Sequence, residues 1–347
     1  MDVADFDFQL PGELIAQDPP ARRGESRLLV LSRDTGSIAH ASFTRLGEFL
    51  RPGDLLVLNN TKVFPARLLG HRVPSGGAVE CLLLHGPAED RWDSLVHPGQ
   101  KLKPGARMLF QGGGLELHGE ILGRHFHGRR TIRLWTNDGS RVEEAIDAIG
   151  HIPLPPYIKR EDRPSDRERY QTVYALQRGS IAAPTAGLHF TPELLTDLER
   201  RGVERVEVTL HVGYGTFKPV RVEHVENHVV DPEAFTIDAG AAAAVSRALR
   251  EGRRVIAVGT TTARTLESLQ IVDGSVASGG GTTSLFIVPG HRFRIVTGLV
   301  TNFHLPRSSL LMLVAAFAGR ERVLASYREA VAQRYHFYSY GDAMLIL

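Results

Sequence analysis

Several residue types that mark particular protein classes are scarce in this sequence. The 347 residues contain one cysteine and two tryptophans, and the formal net charge is only +2. A single thiol, Cys81, excludes an intramolecular disulfide and a multi-cysteine zinc site, so we expect a reducing, cytoplasmic location. The small net charge neither requires nor excludes nucleic acid, which would need a local basic face.

Long hydrophobic runs and targeting signals are also missing. The longest apolar run near the C-terminus covers residues 310–318, which is about half of the ~20 residues needed to span a bilayer. The N-terminus is acidic, whereas a signal peptide would begin basic and continue apolar. We therefore predict a soluble protein with no membrane partner. The length of the chain predicts two domains.

A stretch of short apolar segments separated by Gly, Pro, Asn and Asp begins at residue 62. Six such segments occur, at residues 66–69, 79–84, 92–96, 106–110, 115–122 and 131–135. This spacing predicts a small antiparallel β-barrel domain over residues 62–150, inserted into the rest of the chain. Four arginines near its end fit either an RNA contact or a solvated strand edge: Arg124, Arg129, Arg130 and Arg133.

The rest of the chain, residues 1–61 and 151–347, alternates apolar strand-like runs with helix-like runs. After residue 200, the predicted strands are 206–212, 255–258, 284–288 and 295–300. The predicted helices are 192–201, 239–251, 263–269, 308–318 and 322–333. This alternation predicts one discontinuous three-layer α/β/α domain.

Residues 180–202 contain the pattern around which we expect the chain to be organised. An apolar run is followed by a loop of small residues with Thr185 and Gly187, then by His189 and a helix with Thr191 as its N-cap. A loop between a strand and a helix N-terminus presents backbone N–H groups to anionic or polar ligands. The alternative is a tight connection with a purely structural role.

Three further loops follow predicted strands. The first contains His211, Gly213 and Gly215, but Lys218-Pro219 follows instead of a helix, which argues against a dinucleotide site. The second opens a helix with residues suited to a carboxylate or phosphate, or to a structural cap: Thr260, Thr261, Thr262 and Arg264. The third contains Asn302 and His304.

Four histidines lie at or near such element ends: His189, His211, His228 and His304. A neutral imidazole suits proton transfer at neutral pH, although each of these residues also has a structural interpretation. No histidine spacing indicates a metal site, so no metal is predicted, and no Gly-x-Ser-x-Gly elbow indicates a Ser-His-Asp triad.

Taken together, these loops resemble the S-adenosylmethionine:tRNA ribosyltransferase-isomerase family of queuosine biosynthesis. The similar stretches run in fixed order along the chain: residues 5–8, 10–11, 14–17, 26–29, 59–67, 154–158, 170–174, 182–191, 209–217, 259–268, 286–290, 301–306 and 338–344. The chain departs from the family pattern at Asp231, where a second histidine is usual, and at Asn60 and Lys62, which replace Asp and Arg.

The resemblance implies that S-adenosylmethionine, as co-substrate, donates its ribosyl carbons to the aminomethyl group of a 7-deazaguanine base. That base lies at the wobble position of a tRNA with a GUN anticodon, and epoxyqueuosine, adenine and methionine are the products. The chemistry needs a base for the proton beside the sulfonium and an acid for the departing adenine. A clamp for the methionine carboxylate is also required.

The resemblance assigns candidate residues to these roles. The proton-transfer candidates are His189, His211, His228, Glu233 and His304. The candidates for binding S-adenosylmethionine are Thr185, Gly187, Gly213, Gly215, Thr260, Thr261, Thr262, Arg264 and Asn302. Aromatic residues are expected to stack on the unpaired bases of the anticodon loop; the candidates are Tyr157, Tyr214, Phe217, Tyr338 and Tyr340.

Two other functions remain open at this point. One is a different S-adenosylmethionine-dependent RNA-modifying enzyme, such as a methyltransferase. The other is a tRNA-binding protein without catalytic activity. The chain is expected to be a monomer or a homodimer.

Overall fold

The computed structural model describes residues 1–88, 90–213, 215 and 220–347. In chain order its strands are β1 (Arg27–Leu31), β2 (Ile38–Ser42), β3 (Leu55–Asn59), β4 (Thr61–Val63), β5 (Arg67–Val73), β6 (Ala78–Ala88), β7 (Arg91–His97), β8 (Arg107–Gly112), β9 (Leu115–Arg124), β10 (Arg129–Trp135), β11 (Gln177–Ser180), β12 (Glu204–Leu210), β13 (Glu233–Ile237), β14 (Val255–Val258), β15 (Ile271–Val272), β16 (Ser275–Val276), β17 (Gly279–Thr283), β18 (Gly298–Asn302) and β19 (Ala343–Ile346). The α-helices are α1 (Val142–Ile149), α2 (Asp166–Arg169), α3 (Pro192–Arg200), α4 (Ala239–Arg250), α5 (Thr260–Ser268), α6 (Ser309–Ala318) and α7 (Arg320–Ala332).

Two sheets dominate this mixed α/β fold. The larger is a mixed nine-stranded sheet in the order β17-β13-β12-β3-β14-β18-β19-β1-β2. The second is an antiparallel set of six strands that closes on itself in the order β10-β7-β6-β5-β8-β9. Short pairs are formed by β11 with β4 and by β15 with β16. In the described part of the chain, no helix is long and apolar enough to cross a membrane.

Strand β3 lies in the interior of the larger sheet, between β12 and β14, and is buried along its whole length. Because successive side chains of a strand point to opposite faces, Leu55 and Val57 pack in one apolar cluster with α4 to α7. Leu56 and Leu58 pack in another cluster with α3 and residues 43–50. Helices therefore cover both faces of the sheet, which explains why β3 is a continuous apolar run.

Helix ends follow the capping signals of the sequence. At the start of α3, the Thr191 Oγ1 accepts a hydrogen bond from the Leu194 N–H at 3.2 Å, and Pro192 takes the first helical position. At the start of α6, the Ser308 hydroxyl accepts a hydrogen bond from Leu311 N–H. The predicted helices at 192–201, 239–251, 308–318 and 322–333 are confirmed to within two residues at each end.

The six-stranded ring contains all six of the apolar segments predicted between residues 62 and 150. Its interior is filled by a separate apolar cluster that includes Phe110, Leu117 and Ile132, and α1 packs against it. Arg130 is buried in this ring, and its guanidinium donates to the carbonyls of Leu102, Gly99 and Arg129. Its charge is therefore unavailable at the surface.

Some sequence predictions were wrong. No strand covers residues 284–288, because the Leu285 N–H donates to the Thr283 hydroxyl and the Arg264 Nε donates to the Leu285 carbonyl. Helix α5 begins at Thr260, three residues before the predicted start, with Gly259 as its N-cap at φ 92°. A strand was predicted at residues 295–300, but β18 begins at Gly298 and ends at Asn302.

An aromatic cluster next to the end of β18 is predicted to be essential for stability. Phe303 is fully buried, with its ring centroid 5.1 Å from that of Phe337 and 5.2 Å from that of Tyr327. Phe303→Ala is expected to lower the free energy of unfolding by about 3–5 kcal/mol, measured by urea denaturation. The control Phe126→Ala removes a ring that is 88% exposed and should change it by less than about 0.5 kcal/mol. Equal effects of the two substitutions would contradict the packing described here.

Candidate functional site

Four neighbouring strands of the larger sheet run in the same direction. Strand β3 pairs in parallel with β12 and β14, and β14 pairs in parallel with β18. Their carboxyl ends, at Leu210, Asn59, Val258 and Asn302, therefore lie along one edge of the sheet. In open α/β sheets this edge is where ligands bind. The loops that the sequence singled out follow three of these strands.

The first cavity at this edge, called cavity A, is lined by both polar and apolar residues. Of the predicted site residues, it is lined by Thr185, Thr260, Thr261, Asn302 and His304. The remainder of its wall comes from Tyr157, residues 182–184, Ala186, Val212, Gly259, Thr301, Leu310, Tyr338 and Ser339. The start of α5 thus borders cavity A, and binding of a ligand there stays a prediction.

A second cavity, called cavity B, adjoins the first. Leu310 lines both cavities. Of the predicted site residues, cavity B is lined by Gly215, His228, Glu233 and Arg264, together with Asp231 and Ser309. Among the described residues, no group of three His, Cys, Asp or Glu side chains is arranged to hold a metal ion.

Asn302 connects cavity A to buried His189. The Asn302 Nδ2 donates to the Tyr338 carbonyl at 2.8 Å and to the His189 Nε2 at 3.2 Å. Since Nε2 accepts, the His189 Nδ1 carries the proton and donates to the Ser26 hydroxyl oxygen at 2.8 Å. Both donations fix the orientation of the Asn302 amide, and its Oδ1 is buried without a hydrogen-bond partner. Such an orphaned acceptor at a cavity wall is suited to a ligand N–H or O–H.

The two most deeply buried candidate histidines are held in the neutral form. Burial lowers the pKa of His189 to about 4 and that of His304 to about 3. The His304 Nε2 lies 2.9 Å from the Thr301 hydroxyl, and its backbone N–H donates to the Tyr327 hydroxyl. At neutral pH these imidazoles are weak bases that orient neighbouring groups by hydrogen bonding.

Cavity B contains a buried ion pair. The Arg264 Nη1 donates to the Glu233 Oε2 at 2.6 Å, and the Gly213 N–H donates to the Glu233 Oε1 at 2.9 Å. Arg264 and Glu233 are 7% and 3% exposed. The Arg264 Nη2 is buried and has no hydrogen-bond partner. A guanidinium with an unused N–H group at a cavity wall is suited to a carboxylate.

Other predicted site residues lie outside both cavities. The Thr262 hydroxyl donates to the Val258 carbonyl inside α5. The His211 Nδ1 lies 2.8 Å from the Thr61 hydroxyl. A Cβ at Gly187 would lie 2.1 Å from the Tyr174 hydroxyl, so the glycine is required for packing. A role of Thr262 and Gly187 in binding S-adenosylmethionine and a role of His211 in proton transfer stay predictions.

The predicted aromatic residues are divided between the cavity and the interior. Tyr157 and Tyr338 line cavity A with their ring centroids 3.8 Å apart, whereas Tyr340 is buried and donates to Asp166. Tyr338 has φ 76°, a left-handed conformation that costs energy in a non-glycine residue and often marks functional sites. Tyr214 and Phe217 lie outside the described residues. Three residues next to the site were not predicted, because a lone Ser or Thr gives no sequence signal. Ser26 contacts His189, Thr301 contacts His304, and Ser339 lines cavity A.

The fold and these cavities are typical of α/β enzymes, whose small-molecule sites lie at the carboxyl edge of parallel strands. A family model described as "Queuosine biosynthesis protein" matches residues 3–346, and the chain belongs to this family.

Similar proteins cover the whole chain. It is 53% identical to the S-adenosylmethionine:tRNA ribosyltransferase-isomerase of Heliobacterium modesticaldum and 54% identical to that of Carboxydothermus hydrogenoformans, each over 100% of both chains. The crystal structure of S-adenosylmethionine tRNA ribosyltransferase from Thermotoga maritima is 40% identical, with a TM-score of 0.56 over 99% of this chain and 100% of that one. The family predicted from the sequence is confirmed.

The neutral state of His189 predicts a loss of stability in acid. Because its pKa is lowered to about 4 in the folded chain, the unfolded chain binds a proton first as the pH falls below about 6.5. Unfolding free energy should therefore decrease from pH 6.5 to pH 4, and the decrease should be smaller by roughly 3 kcal/mol in His189→Gln. Urea denaturation at several pH values measures this difference. Parallel profiles for the two proteins would contradict a buried, neutral His189.

Proposed function

We propose that this chain performs the reaction for which its relatives are named, as an S-adenosylmethionine:tRNA ribosyltransferase-isomerase. The bonds from the ribosyl carbons to adenine and to the methionine sulfur break, and adenine and methionine leave. A new C–N bond forms to the aminomethyl group of the 7-deazaguanine base, which loses a proton, and the transferred carbons rearrange to the epoxide-bearing ring of epoxyqueuosine. The observation that carries the proposal is the pair of adjoining cavities, each with one unpaired buried polar group, in a chain 53% identical to such an enzyme over its full length.

S-adenosylmethionine occupies both cavities in this proposal. Its adenosine portion lies in cavity A, where the Asn302 Oδ1 accepts a hydrogen bond from the adenine amine or a ribose hydroxyl. Thr260 and Thr261 border the same space. Its methionine portion lies in cavity B, where the Arg264 Nη2 donates to the carboxylate. The sulfonium then lies near Leu310, where the cavities adjoin.

The proton beside the sulfonium is taken by His228. Of the four candidate histidines, only His228 and His304 line the two cavities, and burial lowers the pKa of His304 to about 3. A group with so low a pKa is a weak general base at neutral pH. His228 is half-buried in cavity B with its ring edge-on to Phe286, at 5.0 Å between centroids.

The ring of β5 to β10 is an inserted barrel domain, residues 62–150, that contacts the anticodon loop. Its β9–β10 connection reaches the rim of cavity B, because the Arg129 Nη2 donates to the Asp231 carboxylate at 3.0 Å. The same connection presents Phe126, 88% exposed, and the exposed Arg124. An exposed aromatic ring beside a cation suits an unpaired nucleotide.

Release of adenine tests the function. The protein is incubated with S-adenosylmethionine labelled in the ribose and with tRNA that carries the 7-aminomethyl-7-deazaguanine base. We expect one adenine released for each labelled ribosyl group found in the tRNA. Methylated tRNA without free adenine would instead indicate a methyltransferase. Binding of tRNA without consumption of S-adenosylmethionine would indicate a protein without this activity.

The same assay tests the role of His228. His228→Gln is expected to lower the rate about 100-fold or more, since it removes the general base. The control His224→Gln changes an exposed imidazole four residues away and should leave the rate within about twofold. Equal rates for the His228 variant and the control would exclude His228 as the base.

A further inference from the structure

A third recess lies on the other side of His189 from cavity A. This recess, called recess C, is lined by Pro20, Arg23, Ser26, Arg169, His189 and Ser339, among others. Ser339 also lines cavity A, and His189 is bonded to Asn302 of cavity A. Recess C therefore adjoins the cavity assigned to adenosine.

Recess C contains two arginines whose guanidinium groups donate hydrogen bonds to backbone carbonyls. The Arg23 guanidinium donates to the carbonyls of Leu188 and Glu168, both at 3.1 Å. The Arg169 guanidinium donates to those of Ala21 at 3.3 Å and Pro20 at 2.6 Å. Within the described ranges, neither arginine lies within 4 Å of a carboxylate oxygen. Each guanidinium has five N–H donors, so most of them are left for a ligand.

The charges of these two arginines act on each other. The pKa of Arg23 is lowered mainly by burial and next by the charge of Arg169, and only partly restored by the exposed Glu168. Holding two like charges together without a carboxylate is unfavourable, and an anion bound between them removes that cost. Arginine pairs of this kind bind the oxygens of a phosphate.

The location of recess C indicates which anion it binds. S-adenosylmethionine has no phosphate, and its carboxylate is already assigned to Arg264 in cavity B. A tRNA has a phosphate on each side of the base that reacts, and these phosphates stay outside when the base enters the cavity. We propose that Arg23 and Arg169 bind a backbone phosphate of the tRNA close to the modified nucleotide. This inference rests on the proposed function, since it takes tRNA as the substrate.

The test measures tRNA affinity in the absence of S-adenosylmethionine, so its outcome does not depend on adenine release. Fluorescence anisotropy with labelled tRNA compares the wild type with Arg23→Gln and Arg169→Gln from 50 to 300 mM KCl. Each variant is expected to bind tRNA about tenfold more weakly, and its plot of log affinity against log salt should be shallower by roughly 0.7. The Kd for S-adenosylmethionine, measured by calorimetry without tRNA, should stay within about twofold of the wild-type value.

Arg22→Gln is the matched control, because it removes the same charge from an adjacent side chain that is 87% exposed. Variants of Arg23 and Arg169 that bind tRNA as well as this control would overturn the proposal. A raised Kd for S-adenosylmethionine with unchanged tRNA affinity would also overturn it and would assign recess C to the methionine carboxylate.

Two further measurements complete the test. Inorganic phosphate at constant ionic strength should compete with tRNA for the wild type and not for Arg23→Gln. Phosphate binding that disappears in Arg23→Gln while tRNA affinity stays unchanged would mean that the recess binds free phosphate. Arg169→Lys keeps the charge but loses the planar fork of N–H donors that binds phosphate oxygens. If a Gln variant fails to fold, this variant should still bind tRNA more weakly than the wild type, and equal affinity would overturn the proposal.

Discussion

The parallel pairing of β12, β3, β14 and β18 is the constraint on which the site depends. Parallel strands share a direction, so residues far apart in the sequence meet wherever these strands end. Val212, Thr260 and Asn302 follow or end three different strands and line one cavity for this reason. Burial of the strands on both faces keeps their ends in place, because a shift of register would expose apolar side chains.

The site also depends on polar groups that the fold leaves unsatisfied. Nearly all buried polar atoms in proteins have partners, and an unpaired one costs about 1–3 kcal/mol. The Asn302 Oδ1 and the Arg264 Nη2 lack partners although Asn302 and Arg264 are nine-tenths or more buried. Hydrogen bonds to His189 and Tyr338 hold the Asn302 amide in place. Hydrogen bonds to Glu233 and Leu285 hold the Arg264 guanidinium. The fold thus orients both groups before a ligand binds.

Sequence periodicity was sufficient to predict α3, α4, α6, α7 and the six strands of the ring, because amphipathic and turn patterns are local. It was insufficient for β13, β17 and β19, where glycine-rich or short segments are strands only through their neighbours. The loops of the site were predicted from their position after strands. The sequence did not predict which threonines face the cavity, because this depends on where α5 begins. Thr260 and Thr261 line cavity A, whereas the Thr262 hydroxyl donates to a backbone carbonyl. Recess C had no sequence signal, since Arg23 and Arg169 meet only in the folded chain.

The decisive measurement is a crystal structure of the protein with S-adenosylhomocysteine, which lacks the sulfonium methyl group and its charge and therefore does not react. We expect the adenosine portion in cavity A, with the adenine amine or a ribose hydroxyl within hydrogen-bond distance of the Asn302 Oδ1. We also expect the amino-acid carboxylate in cavity B within hydrogen-bond distance of the Arg264 Nη2. Electron density for the ligand away from the carboxyl edge of β14 and β18, or with its carboxylate at Arg23 and Arg169, would show that the two cavities are not the S-adenosylmethionine site.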